Sequence, residues 1–390
     1  MKQRPGVLAK LRQLDDRRAH AMEQMRVRWA GLPGWQRGIV WLALIALLFY
    51  LPFIKHYPFA YIRTDLSEGG TDWASVLFTI SVYVTIAIGL NVVIGLAGLL
   101  DLGFVGFYAV GAYSVALFGS PTSPVTGWIQ KEFGLSQDWA VAWAACVPLA
   151  MLLSLASGVV LGWPALRVRG DYLAIVTLGF GEIIRIVVRN SDFTGGPKGM
   201  PNVPKPPGTM PDGTPIFGVL NVYRWYWLML AALLIFVFLI RRLENSRVGR
   251  AWVAIREDED AAAAMGVPAF KFKLWAFVIG AAMGGFAGVM FASKQGFIAP
   301  ENFLLNLSIL FVAMVVLGGS GNMLGVTLGA VLVTYLPERF REFELWRPFA
   351  FAVALIVVML LRPQGLIPSR RRNRELKERK REAQEVAVSG

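Results

Sequence analysis

Ten apolar runs recur along the chain, at roughly residues 37–54, 73–93, 100–118, 139–163, 172–190, 223–240, 272–293, 303–317, 324–337 and 347–361. A helix needs about 20 mainly apolar residues to cross the hydrocarbon core of a bilayer. The pattern therefore predicts an all-α fold, a polytopic transmembrane helix bundle of about 8–10 spans. Several runs are short or rich in glycine. The regions 90–118 and 304–337 are expected to contain broken or re-entrant helices, which membranes tolerate where backbone is covered by protein or lines a cavity.

Polar residues cluster between these runs, and their charge sets an orientation. Of 39 Lys and Arg residues, nine lie in 1–37, seven in 241–273 and nine in 362–390. The positive-inside rule assigns all three segments to the cytoplasm. Both termini inside require an even number of crossings, which ten satisfies. The expected organisation is a basic cytoplasmic tail over 1–36, a transmembrane domain over 37–361 with a cytoplasmic loop at 241–271, and a second basic tail over 362–390. Loops 119–138 and 191–222 then fall outside; the second is rich in Pro and Gly and is expected to be irregular.

Composition agrees. Hydrophobic residues make up 55% of the chain and charged residues 17%, against about 25% charged in a typical soluble domain. The net charge of +13 is read as topology and contact with anionic membrane lipid. Nucleic-acid binding is not expected, because no basic domain stands apart from the spans. The first apolar run lies behind a polar, basic segment and is expected to remain as a span rather than be cleaved as a signal peptide.

Enzymatic chemistry finds no foothold. There is no G-x-x-x-x-G-K-[ST] phosphate loop, no nucleophile elbow and no dinucleotide fingerprint. Cys146 is the only cysteine and is read as a packing residue. His20 and His56 stand apart, with no metal-ligand spacing. No cofactor, metal or catalytic residue is expected on this chain.

Three features carry candidate function. The first is the cytoplasmic segment 241–271. Ser246 is a candidate helix N-cap and Gly266, followed by Pro268, a helix stop. Between them Val248, Trp252 and Ile255 share a helical face, and Arg256, Glu257, Asp258, Glu259 and Asp260 form a dense charged turn. The segment reads either as a solvated linker or as an amphipathic docking surface for a cytoplasmic partner. The second feature is the set of ionisable residues in or near spans. Asp101 follows a glycine-rich run, while Glu182, Arg185 and Arg189 share one helical face. These are either a structural ion pair with a snorkelling arginine or the lining of a path. The third is glycine: Gly89, Gly95 and Gly98 bracket Asn91, and Gly318, Gly319, Gly321 and Gly325 surround Asn322. Helix breaks and close helix packing are both open readings. A faint echo links VVIGLAG at 92–98 with VVLGGSG at 315–321; chance similarity explains it equally well.

Five stretches carry a family resemblance: GLNVVIGLAGLLDLGFVGFYAVGAYSVAL (89–117), RVRGDYLAIVTLGFGEIIRIVVRN with TGGPKGM (167–200), SRVGRAWVAIREDEDAAAAMGV (246–267), AFVIGAAMGGFAGVMFA (276–292) and LLRPQGLIP (360–368). In this order the chain resembles LivM-type permeases of branched-chain amino acid ABC importers. The resemblance implies a permease subunit in the cell inner membrane that pairs with a second, related permease. Two cytoplasmic ABC ATPase subunits would bind the ATP, and an extracytoplasmic binding protein would deliver leucine, isoleucine or valine. It implies ATPase coupling through the loop that contains Arg250, Trp252, Arg256, Glu257, Asp258, Glu259, Ala261 and Gly266. Candidate residues of the translocation path are Asn91, Gly95, Gly98, Asp101, Tyr113, Glu182 and Arg185. The family pattern after the glycine-rich turn usually reads Ser-Leu-Gly-His, where this chain has Asp101-Leu102-Gly103-Phe104.

Other cargoes remain open at this level, since related permeases carry urea, amides or other amino acids. A secondary transporter would instead need a relay of acids or histidines at mid-membrane, for which only Asp101 and Glu182 are candidates. A non-transporting scaffold leaves the capped charged loop unexplained.

Overall fold

The computed structural model describes residues 33–53 and 73–339, apart from 138, 169–170, 212 and 219–220, together with positions 349, 352–353, 356 and 365–367. The chain divides into two units, residues 1–57 and 58–390.

In the first unit the described structure is one helix, α1 (Gly34–Tyr50), which starts after Pro33 and passes into a 3-10 turn at Leu51–Phe53. Its large side chains, among them Leu42 and Leu47, are exposed. A helix of about 26 Å with an apolar exterior suits lipid rather than water.

In the second unit the helices are α2 (Trp73–Leu90), α3 (Phe104–Gly119), α4 (Pro124–Glu132), α5 (Trp143–Ala165), α6 (Asp171–Asn190), α7 (Val222–Glu244), α8 (Arg247–Glu257), α9 (Glu259–Ala264), α10 (Ala269–Gln295), α11 (Leu305–Gly318) and α12 (Met323–Arg339). Six helical stretches are long and apolar enough to cross a membrane: Trp73–Leu96, Phe104–Glu132, Trp143–Ala165, Val222–Glu244, Ala269–Gln295 and Pro300–Gly318. The all-α polytopic reading therefore holds. Nine of the expected runs are helical, but α1, α6 and α12 fall outside those six. The run at 347–361 and the two basic tails lie outside the described residues, except for positions 349, 352–353, 356 and 365–367.

Helices α2, α3 and α10 form the centre. α10 packs along both α3 and α5, while α2 is flanked by α7 and α12, and α6 lies against α3. Small residues permit the closest crossing. A Cβ on Gly111 of α3 would overlap the backbone of Gly285, and one on Gly288 would overlap the Tyr108 carbonyl. Such backbone approach replaces hydrophobic drive, which is weak between helices in lipid. Beside it Tyr108 packs against Phe303 and Phe311, with ring centroids 5.5 and 6.0 Å away.

Two of the expected spans start late, the first at a break of the kind expected within 90–118. The run at 100–118 does not begin as helix: residues 97–103 are irregular, and α3 starts only at Phe104. The run at 139–163 starts at Trp143, after Val141 has bonded back to the Phe118 carbonyl. The irregular 191–222 segment is pinned by a two-residue antiparallel ladder, Met200–Pro201 (β1) with Phe297–Ile298 (β2).

Candidate functional site

The segment between α7 and α10 is two helices rather than one. Ser246 accepts from the N–H groups of Val248 and Gly249 at 3.1 and 3.5 Å, the expected N-cap. Asp258 then adopts an extended conformation, ends α8 and caps α9 by accepting from the Ala261 N–H at 2.9 Å. Glu259 and Asp260 sit in the first turn of α9, where negative charge suits the helix dipole. The single element expected from the sequence is divided because an aspartate offers the backbone an alternative to continued helix. Gly266 takes φ +83°, a left-handed stop.

One face of this pair is tied to the transmembrane body. Trp252 is fully buried, and its indole donates to the Phe272 carbonyl at 2.6 Å. Ile255 is buried, and Glu259 pairs with Lys273 of α10. The opposite face presents Arg250, Glu257, Asp258, Asp260, Ala261 and Gly266 to solvent. Met265, absent from the sequence-based set, is 85% exposed at the end of α9. Its placement just before the helix stop was the available signal. Trp252 thus faces inward while the acidic, small-residue surface faces outward.

The glycine-rich break lies next to this element. α2 continues as a π-helical turn over Asn91–Leu96, a wide turn that often marks functional positions. Arg256 of α8 donates to the Gly95 carbonyl. Gly98, at φ +74°, lies so close that a Cβ there would sit 2.8 Å from Cγ of Arg256. Asn91, at the start of the turn, accepts from the Gly321 N–H at 2.8 Å. Gly321 belongs to the second break, between α11 and α12. Residues of the path set and of the coupling set therefore meet at one place.

Three residues further on, the irregular link is clamped. Asp101 is fully buried; one carboxylate oxygen accepts from the Gly103 N–H at 2.8 Å and the other has no hydrogen-bond partner. Leu102 donates to Thr177 of α6 at 3.0 Å and accepts from Ser308 of α11. A Cβ on Gly103 would overlap the Thr177 carbonyl.

The remaining path candidates lie elsewhere. Tyr113, two to three turns along α3, is buried against Phe303 with centroids 5.7 Å apart, and its hydroxyl has no hydrogen-bond partner. Glu182 and Arg185 pair with each other on α6, partly exposed. Both α3 and α6 touch the 3-10 turn Pro300–Phe303. The path set thus divides into a group around Asn91, Gly95, Gly98 and Asp101 and a group toward Pro300–Phe303. Among the described residues no cluster of His, Cys, Asp and Glu is arranged to hold a metal.

A family described as the branched-chain amino acid transport system permease component matches residues 73–362. The high-affinity branched-chain amino acid transport system permease protein LivM of Salmonella typhimurium is 41% identical over 332 residues, covering 80% of this chain and 73% of that protein. LivM of Escherichia coli is 40% identical over 330 residues, with the same coverage of each chain. The autoinducer 2 import system permease protein LsrC of Salmonella typhi is 27% identical over 229 residues, covering 56% of this chain and 61% of that protein. No solved structure matches the chain.

Proposed function

Because the chain belongs to the family of branched-chain amino acid transport system permease components, we propose that it is the permease subunit of an ABC importer for leucine, isoleucine and valine. It carries no nucleotide of its own; ATP binds on two cytoplasmic ATPase subunits. A second, related permease completes the pore, and an extracytoplasmic protein delivers the amino acid. The chain sits in the cell inner membrane with both termini and the α8–α9 element in the cytoplasm, and its basic segments contact anionic lipid.

The observation that carries this reading is the two-faced α8–α9 element. Its inner face is joined to α10 through Trp252 and the Glu259–Lys273 pair. Its outer face exposes Arg250, Glu257, Asp258, Ala261, Met265 and Gly266. A surface of that kind, rigidly attached to a span, converts a partner's closure into helix movement. Alternating access follows if the partner closes on ATP. The acidic and small side chains meet the ATPase while the buried tryptophan passes the displacement on. Around Asn91, Gly95, Gly98 and Asp101 the broken helix takes up the motion, and Tyr113, Glu182 and Arg185 belong to the path at the other end.

The test is reconstitution of the full complex in vesicles, with labelled leucine and labelled urea offered in parallel. ATP-dependent uptake of leucine that requires the binding protein is the expected result. Uptake of urea without leucine would overturn the cargo, and uptake driven by an ion gradient without ATP would overturn the importer class.

A further inference from the structure

The coupling element has a second attachment besides α10. We propose that Arg256 is a positioning residue that ties α8 to the π-turn, so that ATPase movement enters the bundle at the break between α2 and α3. This rests on the reading of α8–α9 as the ATPase contact.

Three independent observations meet at the tie. The last carbonyls of any helix lack partners within the helix. At the end of the π-turn, the Gly95 carbonyl takes the Arg256 guanidinium as donor. A cation at that helix end also suits the dipole, and a charged donor makes the bond stronger than a neutral one. The surrounding sequence is shaped for this approach. Gly98 leaves room for the arginine stem, and its left-handed φ turns the chain beside it. A Cβ on Gly95 would overlap Asn91 Oδ1 and come 2.5 Å from the Gly321 nitrogen. So one turn of backbone touches α8 on one side and the α11–α12 break on the other, through the Asn91–Gly321 bond.

The geometry gives a route distinct from tilting of α7 and α10, the two spans that flank the element. A pull on Arg256 acts directly on the Gly95 carbonyl. The displacement then reaches Gly321 through Asn91, and residues 97–103 lie next in the chain. Those residues are regular in neither α2 nor α3, and the bonds of Leu102 to Thr177 and Ser308 carry a shift there on to α6 and α11.

The experiment is hydrogen exchange on the whole importer in lipid, with and without ATP, for the wild type, Arg256→Gln, Arg256→Lys and Gly98→Ala. In the wild type, ATP is expected to change exchange in 91–103 and 319–322 as well as in 246–266. In Arg256→Gln the change at 246–266 is expected to persist while that at 91–103 disappears. Leucine moved per ATP hydrolysed is expected to fall about tenfold, the scale of one lost charged hydrogen bond. Arg256→Lys restores part of both readouts, and Gly98→Ala, which crowds the arginine, reproduces the loss. A wild type without the ATP-dependent change at 91–103, or an Arg256→Gln complex that keeps it, would overturn the proposal. So would loss of ATPase co-purification in Arg256→Gln, which makes Arg256 a docking residue. Absence of leucine uptake with the exchange pattern intact would sink the cargo assignment alone.

Discussion

The indole N–H of Trp252 donates to the backbone carbonyl of Phe272, two residues before Leu274 in the helix that continues into the membrane core. The tryptophan is fully buried, so the bond and the packing act together. Replacing it with alanine opens a large void and is expected to cost about 3–5 kcal/mol. Trp252→Phe keeps most of the packing and is expected to cost about 1 kcal/mol through the lost hydrogen bond. Thermal unfolding of the purified complex measures both, and the ranking Ala far below Phe is the outcome that matters.

Met265 lies on the opposite face and touches little of its own chain. Met265→Glu is expected to leave the melting temperature of the isolated permease unchanged while reducing co-purification of the ATPase. A fall in melting temperature with normal co-purification would mean that the side chain serves the fold instead.

Asp101 gives a cleaner chemical test. Asp101→Asn retains an oxygen for the Gly103 N–H and removes the need to hold a carboxylate with an oxygen unpartnered in the interior. Asp101→Ala leaves the buried N–H unpaired, at about 1–3 kcal/mol. Alanine is therefore expected to be less stable than asparagine in denaturant titration. Asparagine as damaging as alanine would show that the charge itself, which both variants lack, is required.

The Glu182–Arg185 pair is partly exposed and spaced one helical turn apart. Pairs of this kind contribute about 0.2–0.5 kcal/mol. Arg185→Ala is therefore expected to change stability little. If the pair lines the path, uptake falls without a matching loss of stability; equal small effects on both would assign it to structure.

Gly285 and Gly288 let α10 lie against its neighbours. Gly288→Val drives two methyl groups into the Tyr108 carbonyl, and a cost of at least about 1–3 kcal/mol is expected from overpacking. The yield of folded protein extracted in mild detergent reads this directly.

Much of this was visible in the order of residues, for local reasons. Ser246 and Gly266 mark their helix ends because capping and left-handed turns are short-range chemistry. Glycine clusters at 95–98 and 318–321 mark the two breaks for the same reason. The resemblance between VVIGLAG and VVLGGSG corresponds to two helix ends that touch through Asn91 and Gly321, although the likeness alone carries no such contact. Asp258 as a second cap is locally legible, but the charged run around it hides it. What sequence could not reveal is the pairing of Arg256 with Gly95, which lie 161 positions apart. It also could not show that Tyr113 and Arg185 lie away from Asn91. Those facts depend on how helices cross, and periodicity along one helix is silent about its neighbours.

The end of α11 carries a consequence for biosynthesis. Leu366 and Ile367 donate to the carbonyls of Leu317 and Gly318 at 2.8 and 3.1 Å, and Asn322 donates to the Ile367 carbonyl at 3.1 Å. These partners are separated by almost fifty residues of chain. While the ribosome is still extending the intervening stretch, the exit end of α11 has carbonyls with nothing to receive. The packing of this helix end is complete only when the closing residues arrive, and a nascent chain halted before Gly365 is expected to be cleared by quality-control proteases faster than the full chain.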